Sequence, residues 1–203
     1  MKMIALILAL LIIHPGLSHA QDTTSISQSR KNNLISLLNY RFKGGYYSFE
    51  KEFIKQVTYP EMARNSCVVG IVLVSVVVDC DGTISDIRIK NPLGYGIDDM
   101  VSNFFVTTEK QWNHCTDDKY TKMEIPIQFR IKGTKTDEEA ALLVCLAENP
   151  GFPCNDDEYY LKKAQRFLEK GRGLKAIGML DILIKRNPYN TMYYEMKQKA
   201  IEM

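Results

Sequence analysis

The chain has 203 residues, a formal net charge of +2 and 45% hydrophobic residues, the balance of a globular protein with one domain or two small ones. Its Lys and Arg residues are dispersed instead of forming runs, so the charge pattern gives no reason to expect nucleic acid or an acidic partner.

Residues 1–20 read as a secretory signal peptide. Lys2 supplies the positive start, residues 3–13 an unbroken apolar core, and Ser18-His19-Ala20 small residues at a cleavage position. That core falls short of the roughly 20 residues a membrane-spanning helix needs. The expected mature chain begins at Gln21 and works outside the cytoplasm; retention of residues 1–20 as an anchor is the alternative.

Residues 21–48 are expected to form a polar leader and connector. Ser, Thr, Gln and Asn make 21–33 flexible, 34–40 a short helix and 41–48 a Gly-containing aromatic link. A weak helical pattern over 49–56 stops at Tyr59-Pro60, where Pro60 is preorganised to start a new turn. Val, Ile and Leu then dominate residues 69–79, and β-branched residues favour a strand. Asp81-Gly82 follows, then Ile84, Ile87 and Ile89 in near alternation, with a slip at Ser85-Asp86 that allows a bulge. Two apolar runs joined by Asp-Gly form a hairpin signal.

Ile97, Met100, Val101, Phe104, Phe105 and Thr108 recur at helical spacing, with Asp98 and Asp99 at the positive end and Trp112 extending the stripe. Residues 115–122 read as a loop. Residues 123–131 alternate as a strand, and Pro126, which lacks a donor, predicts that this strand lies at a sheet edge near its start. The remaining chain, 133–203, is expected to be helical. One helix covers 136–148 with Asp137, Glu138 and Glu139 in its first turn, a second runs to about Lys170, a third spans 174–186 and a last one runs toward Ile201.

The cysteines are Cys67, Cys80, Cys115, Cys145 and Cys154, an odd number with no CxxC spacing. In an exported protein they are structural candidates. Cys67 and Cys80 flank one strand and are held too far apart to bond at about 3.3 Å per residue. The helix after the hairpin should bring Cys115 back toward Cys80. Cys145 and Cys154, on either side of Pro150-Gly151, are the predicted disulfide.

Catalytic and metal motifs fare poorly. A calcium loop started at Asp79 would need Glu at its twelfth position and finds Lys90. His114 beside Cys115 invites a Cys–His nucleophile, but chain neighbours seldom point together and no residue is available to orient the ring. No GxSxG or HExxH occurs. The expectation is a non-enzymatic protein with no metal, no cofactor and no small-molecule substrate.

The ordered set Tyr59-Pro60-x-x-Ala63, Gly70 with its apolar strand, Asp81-Gly82, Gly96-Ile97-Asp98, Trp112 and Ile125-Pro126-Ile127-x-Phe129-x-Ile131 resembles the C-terminal domain of TonB proteins. The resemblance covers roughly residues 53–132, within a domain taken as 49–132. It implies an α+β domain, in the periplasm of a Gram-negative envelope, with a β-hairpin, an amphipathic helix and a closing edge strand. It also implies a partner: an extended segment of a TonB-dependent outer-membrane transporter or other envelope protein, added beside the last strand. Glu124, Ile125, Ile127, Gln128, Phe129, Arg130 and Ile131 are the residues so assigned. A second copy of the chain is a further candidate partner. The chain departs from TonB proteins in lacking a Pro-rich spacer, having only seven prolines, and in continuing past the closing strand. An anchored energy-transducing accessory and an envelope assembly component are therefore the alternatives to a soluble adaptor.

Tyr160, Ala164, Phe167, Ala176, Leu180 and Pro188 resemble the aromatic, small and proline positions of a 34-residue tetratricopeptide helix pair. Small Ala164 and Ala176 would let two antiparallel helices approach closely, with Phe167 and Leu180 filling the seam. A plain helical hairpin packed on the β domain is the other reading.

Overall fold

A computed structural model of the protein describes residues 18–137 and 141–203. Most of the expected signal peptide, residues 1–17, lies outside the described residues, and so do Glu138 and Glu139 of the predicted 136–148 helix. The architecture is α+β: a four-stranded sheet in the order β2 (Ile84–Ile89), β1 (Gly70–Val78), β3 (Lys122–Ile131), β4 (Leu143–Ala147), followed by helices.

The first helix, α1 (Ser18–Arg41), replaces the expected flexible leader. Leu34, Leu38 and Phe42 are buried at helical spacing, and once that stripe nucleates the helix each added residue needs only one more hydrogen bond. The polar segment before it therefore continues the helix. Helix α2 (Gly45–Gln56) starts four residues ahead of its apolar pattern. The Asn39 side chain reaches forward to accept from the Tyr46 amide at 2.9 Å, giving that first turn a partner. Helix α3 (Glu61–Asn65) follows Pro60 directly.

Strands β1 (Gly70–Val78) and β2 (Ile84–Ile89) form the expected antiparallel hairpin. Val77 pairs with Asp86 and Val78 with Ile84, so Ser85 is the extra residue of a bulge, at the slip read from the sequence. Gly82 takes φ +90° in the turn, a conformation that suits glycine. Helix α4 (Ile97–Thr107) is tied to the preceding turn by Asp98, whose two carboxylate oxygens accept from the amides of Leu93 and Gly94 at 2.9 and 2.8 Å. Strand β3 (Lys122–Ile131) then pairs antiparallel with β1 along eight positions.

One face of the sheet carries the core. Val72, Val74 and Val76 of β1 and Ile125, Ile127 and Phe129 of β3 pack beneath Leu38, Phe49, Phe53 and Phe105 of the first, second and fourth helices. Phe42 meets Phe49 and Trp112 edge-to-face, each at 5.1 Å between centroids. Arg41, fully buried, points away from this cluster and donates to the carbonyls of Val78 and Asp79 at 2.9 and 2.8 Å, pegging the end of β1 to α1.

The predicted helix over 136–148 is not formed. Its second half is strand β4 (Leu143–Ala147), parallel to β3. Every residue from Ala141 to Ala147 is apolar, which hides strand alternation in the sequence; in the fold Leu143, Cys145 and Ala147 face inward while Val144 and Leu146 face solvent. The three helices that follow, α5 (Asp157–Glu169), α6 (Gly173–Arg186) and α7 (Thr191–Ile201), match the remaining expectations to within a few residues. This tail meets the sheet at the start of β1, where a Cβ on Gly70 would come within 2.5 Å of the Lys185 carbonyl oxygen. Asn91 bridges the same junction, donating to the carbonyls of Ile71 and Lys185 at 2.7 and 3.0 Å.

Candidate interaction edge

A four-stranded open sheet has two edges, and here they differ in kind. On the β2 edge, Asp86 and Arg88 pair with each other at 2.8 Å, and charged side chains on an edge discourage pairing with another chain. The β4 edge carries no charge from residue 141 to 147. Val144 is 48% and Leu146 54% exposed.

The residues assigned to a free edge sit one strand further in. Ile127 through Ile131 pair in register with Leu143 through Ala147, so this part of β3 is an inner strand. Ile125, Ile127, Phe129 and Ile131 are buried, as is Gln128, and Arg130 is half-buried. Glu124, ahead of the β4 ladder, pairs with Lys90 at 2.6 Å on the hairpin side. The Pro126 carbonyl accepts from the Leu142 amide at 3.0 Å, so the flank where Pro126 offers no donor is the β4 flank, and pairing begins with the next residue. Pro126 does mark the weak start of a strand, as read from the sequence. The flank it marks is filled by the chain's own β4.

Strand β4 is fastened at both ends. Ahead of it, Asp137 and Asp157 form a polar node. The Asp137 amide donates to Asp157 Oδ2 at 2.6 Å and Arg186 Nη1 donates to Asp157 Oδ1 at 2.8 Å. Tyr193 Oη and Asn190 Nδ2 donate to Asp137 Oδ2 at 2.7 and 3.0 Å. Arg186 is buried and its guanidinium lies 4.6 Å from the Tyr160 ring centroid, so the charge is covered by a carboxylate and an aromatic face. Burial pushes the Asp157 carboxyl up; Arg186 and the Asp137 amide offset part of that shift. Burial also pushes the Tyr193 hydroxyl up, and the Asp137 carboxylate adds to it, so the tyrosine stays a donor. These groups are scattered through the sequence with no spacing that marks them.

Behind β4, Cys154 is bonded to Cys67, and Cys80 is bonded to Cys115. The predicted Cys145–Cys154 bridge is therefore absent, and Cys145 is a buried free thiol. The prediction has the Pro150-Gly151 turn close a short loop between the two cysteines. As a strand, the segment turns Cys145 into the core beside Phe129 and carries Cys154 on to the cluster of Val69, Ile131 and Ala147, where α3 delivers Cys67. Burial pushes the Cys145 thiol up to about 11. The return of Cys115 toward Cys80 is as anticipated, and it goes as far as a bond. Beside the far end of β4, Tyr59, Glu61, Arg64, Ala147 and Glu148 line a shallow groove of about 450 Å³.

In the tail, Ala164, Ala176 and Leu180 are fully buried in one cluster with Tyr160 and Phe167 packed against it, and Pro188 follows α6. His114 is exposed, and Cys115 beside it is committed to its disulfide. Among the described residues no helix is long and apolar enough to cross a membrane, and no group of three or more His, Cys, Asp or Glu side chains could hold a metal ion.

Residues 55–131 match the family model described as the Gram-negative bacterial TonB protein C-terminal. No curated protein and no solved structure matches the chain significantly. The match ends at the last residue of β3, so β4 and the helical tail are additions to it. From the end of α2 through β3, then, the chain is similar to a TonB C-terminal domain, and the β4 edge of its sheet lies outside the matched segment.

Proposed function

We propose that the protein is a non-enzymatic periplasmic interaction module that takes up an extended segment of an envelope or outer-membrane transport protein by adding it as a strand beside β4. The observation that carries this reading is the uncharged edge, unpaired among the described residues, with Val144 and Leu146 exposed on it. Strand addition needs free backbone donors and acceptors for affinity and side-chain sites for choice. The first are offered by an edge strand, the second by those two apolar side chains and the groove at Tyr59 and Arg64. The Ile127–Ile131 flank already accepts one apolar extended segment, the chain's own β4, and the partner's segment extends the same sheet by one more strand. The tetratricopeptide-like tail offers a second protein-binding surface in this scheme. A second copy of the chain is the competing occupant of the edge.

The test is capture from an envelope fraction by the full chain carrying a photo-crosslinker at Val144. The expected product is a crosslink to an extended segment of an outer-membrane transporter, identified by peptide mapping. Val144→Lys/Leu146→Lys, which charges the edge, should cut capture at least about tenfold while changing stability by only about 0.5 kcal/mol, as exposed sites do. Crosslinks confined to a second copy would make the edge a dimer interface and end the transporter reading.

A further inference from the structure

Strand β4 has five residues and a single ladder, so its hold on the sheet depends on how its ends are tied. One tie is the Asp137–Asp157–Arg186 node, and the other is the Cys67–Cys154 bond, which spans 87 residues and joins the chain beyond β4 to the end of α3. Cys67 is an unusual residue for its position. The Val68 amide donates to the Ala63 carbonyl at 2.9 Å and the Cys67 amide to the Arg64 carbonyl at 3.1 Å. That pair of bonds is the Schellman ending of a helix, in which the residue at Cys67's place takes a left-handed conformation and is usually glycine. Cys67 adopts it, with φ +54°, against a steric cost of about 1–2 kcal/mol for a side chain there. Local stability favours glycine. The thiol is what a cysteine adds, and its one use here is the bond to Cys154.

We infer that the Cys67–Cys154 bond is a clasp that assembles the docking edge, so that the chain becomes competent to take an extended segment only once this bond is closed. The docking half of this inference rests on the strand-addition reading above; the clasp half does not. Closure is a two-electron oxidation. The Cys67 and Cys154 thiols lose two protons and two electrons to a disulfide-bearing oxidant, which leaves as two thiols while the Sγ–Sγ bond forms. A dithiol reductant runs the same exchange backward and lets β4 leave the flank of β3. The second disulfide, Cys80–Cys115, joins the hairpin turn to the segment after α4 and touches neither end of β4, so it holds the rest of the sheet through the change.

The protein carries its own reporter for this step. Cys145 lies on β4, is 7% exposed and is the one free thiol, so its labelling rate follows the opening of the strand. In the full-length Cys67→Gly/Cys154→Ser chain the helix ending keeps its preferred residue and the clasp is gone. Cys145 should then react with a thiol reagent about tenfold faster or more, as expected when a cross-link guarding local opening is removed. Hydrogen exchange should rise over residues 143–147 and stay unchanged over residues 71–78. Crosslinking of a partner segment at position 144 should fall in parallel. Labelling at the oxidised wild-type rate would overturn the clasp, because β4 would then be held by packing alone. Faster labelling with undiminished capture would overturn the dependence of docking on closure. A wild-type chain that captures nothing would count against strand addition only, since the labelling comparison needs no partner. Hydrogen exchange on Cys154→Ala repeats the measurement with Cys67 untouched, should the double variant fold poorly.

Discussion

The two edges of the sheet are built on opposite principles. The β2 edge is made by local chain: a hairpin with a pair of charged residues, Asp86 and Arg88, on its open side, and a disulfide in its turn. The β4 edge is made by distant chain: an apolar segment laid parallel to β3 and held by groups from the tail. A local edge forms with its hairpin and needs charge to stay unpaired. An edge recruited from afar depends on its fastenings, so its availability can be set without unpairing β1 from β2 or β3. The contrast makes the β4 edge the place where an interaction can be both specific and conditional.

The sharpest way to break the contrast is at the node. Asp157→Ala leaves Arg186 buried without its carboxylate, and losing one partner of a buried pair costs about 3–5 kcal/mol. Urea denaturation should show that loss, and exchange protection should fall over β4 before it falls over β2. Asp157→Ala/Arg186→Leu should recover part of the loss, because no unpaired charge remains.

The opposite edge is probed by Cys80→Ser/Cys115→Ser. Opening a loop with a separation of 35 residues should lower stability by about 4 kcal/mol on loop-closure arithmetic, with native-state relaxation reducing the figure. Here protection should fall first at β2, with Cys145 labelling in the native state changed little. Equal loss at both edges would mean the sheet opens as one unit.

A smaller effect follows from the thiol on β4. The folded-state value of about 11 for Cys145 lies above the ordinary 9.0, so the neutral thiol is favoured in the fold. Its contribution is fully present below pH 9 and is lost as pH rises toward 11. The stability difference between wild type and Cys145→Ala should therefore shrink across that window while remaining flat from pH 6 to 8. A difference that stayed constant to pH 11 would mean that β4 is open enough to solvate the thiol.

Much of this molecule is readable from residues alone, where signals are local. Asp81-Gly82 fixes the hairpin, the slip at Ser85 fixes its bulge, and the spacing of Ile97, Val101, Phe104 and Phe105 fixes the covering helix. Pro126 correctly marks a flank with no donor. What cannot be read is which segment comes to lie there. Residues 141–147 are uniformly apolar, a pattern compatible with helix or buried strand, and the acidic residues before them look like a helix start. Only the tertiary ladder to β3 decides the matter. The same holds for Cys154, whose partner depends on where α3 ends, and for Asp157 and Arg186, whose charges are neutralised across 29 residues of chain. The polar leader is a case of the opposite kind, in which composition argues for disorder and a buried stripe further along carries the helix outward.

Strand β1 has one further consequence, for the order in which the chain matures. A chain that emerges from its N-terminus presents its cysteines in sequence, so Cys67 meets Cys80 long before it meets Cys154. Sequential pairing would join Cys67 to Cys80 and Cys115 to Cys145, whereas the native bonds are nested, with Cys67–Cys154 enclosing Cys80–Cys115. Nine residues of extended strand separate the first two cysteines by about 30 Å, and a disulfide needs its Cα atoms within about 7 Å. Once β1 forms it acts as a ruler that forbids the earliest wrong pair and keeps the Cys67 thiol waiting for Cys154.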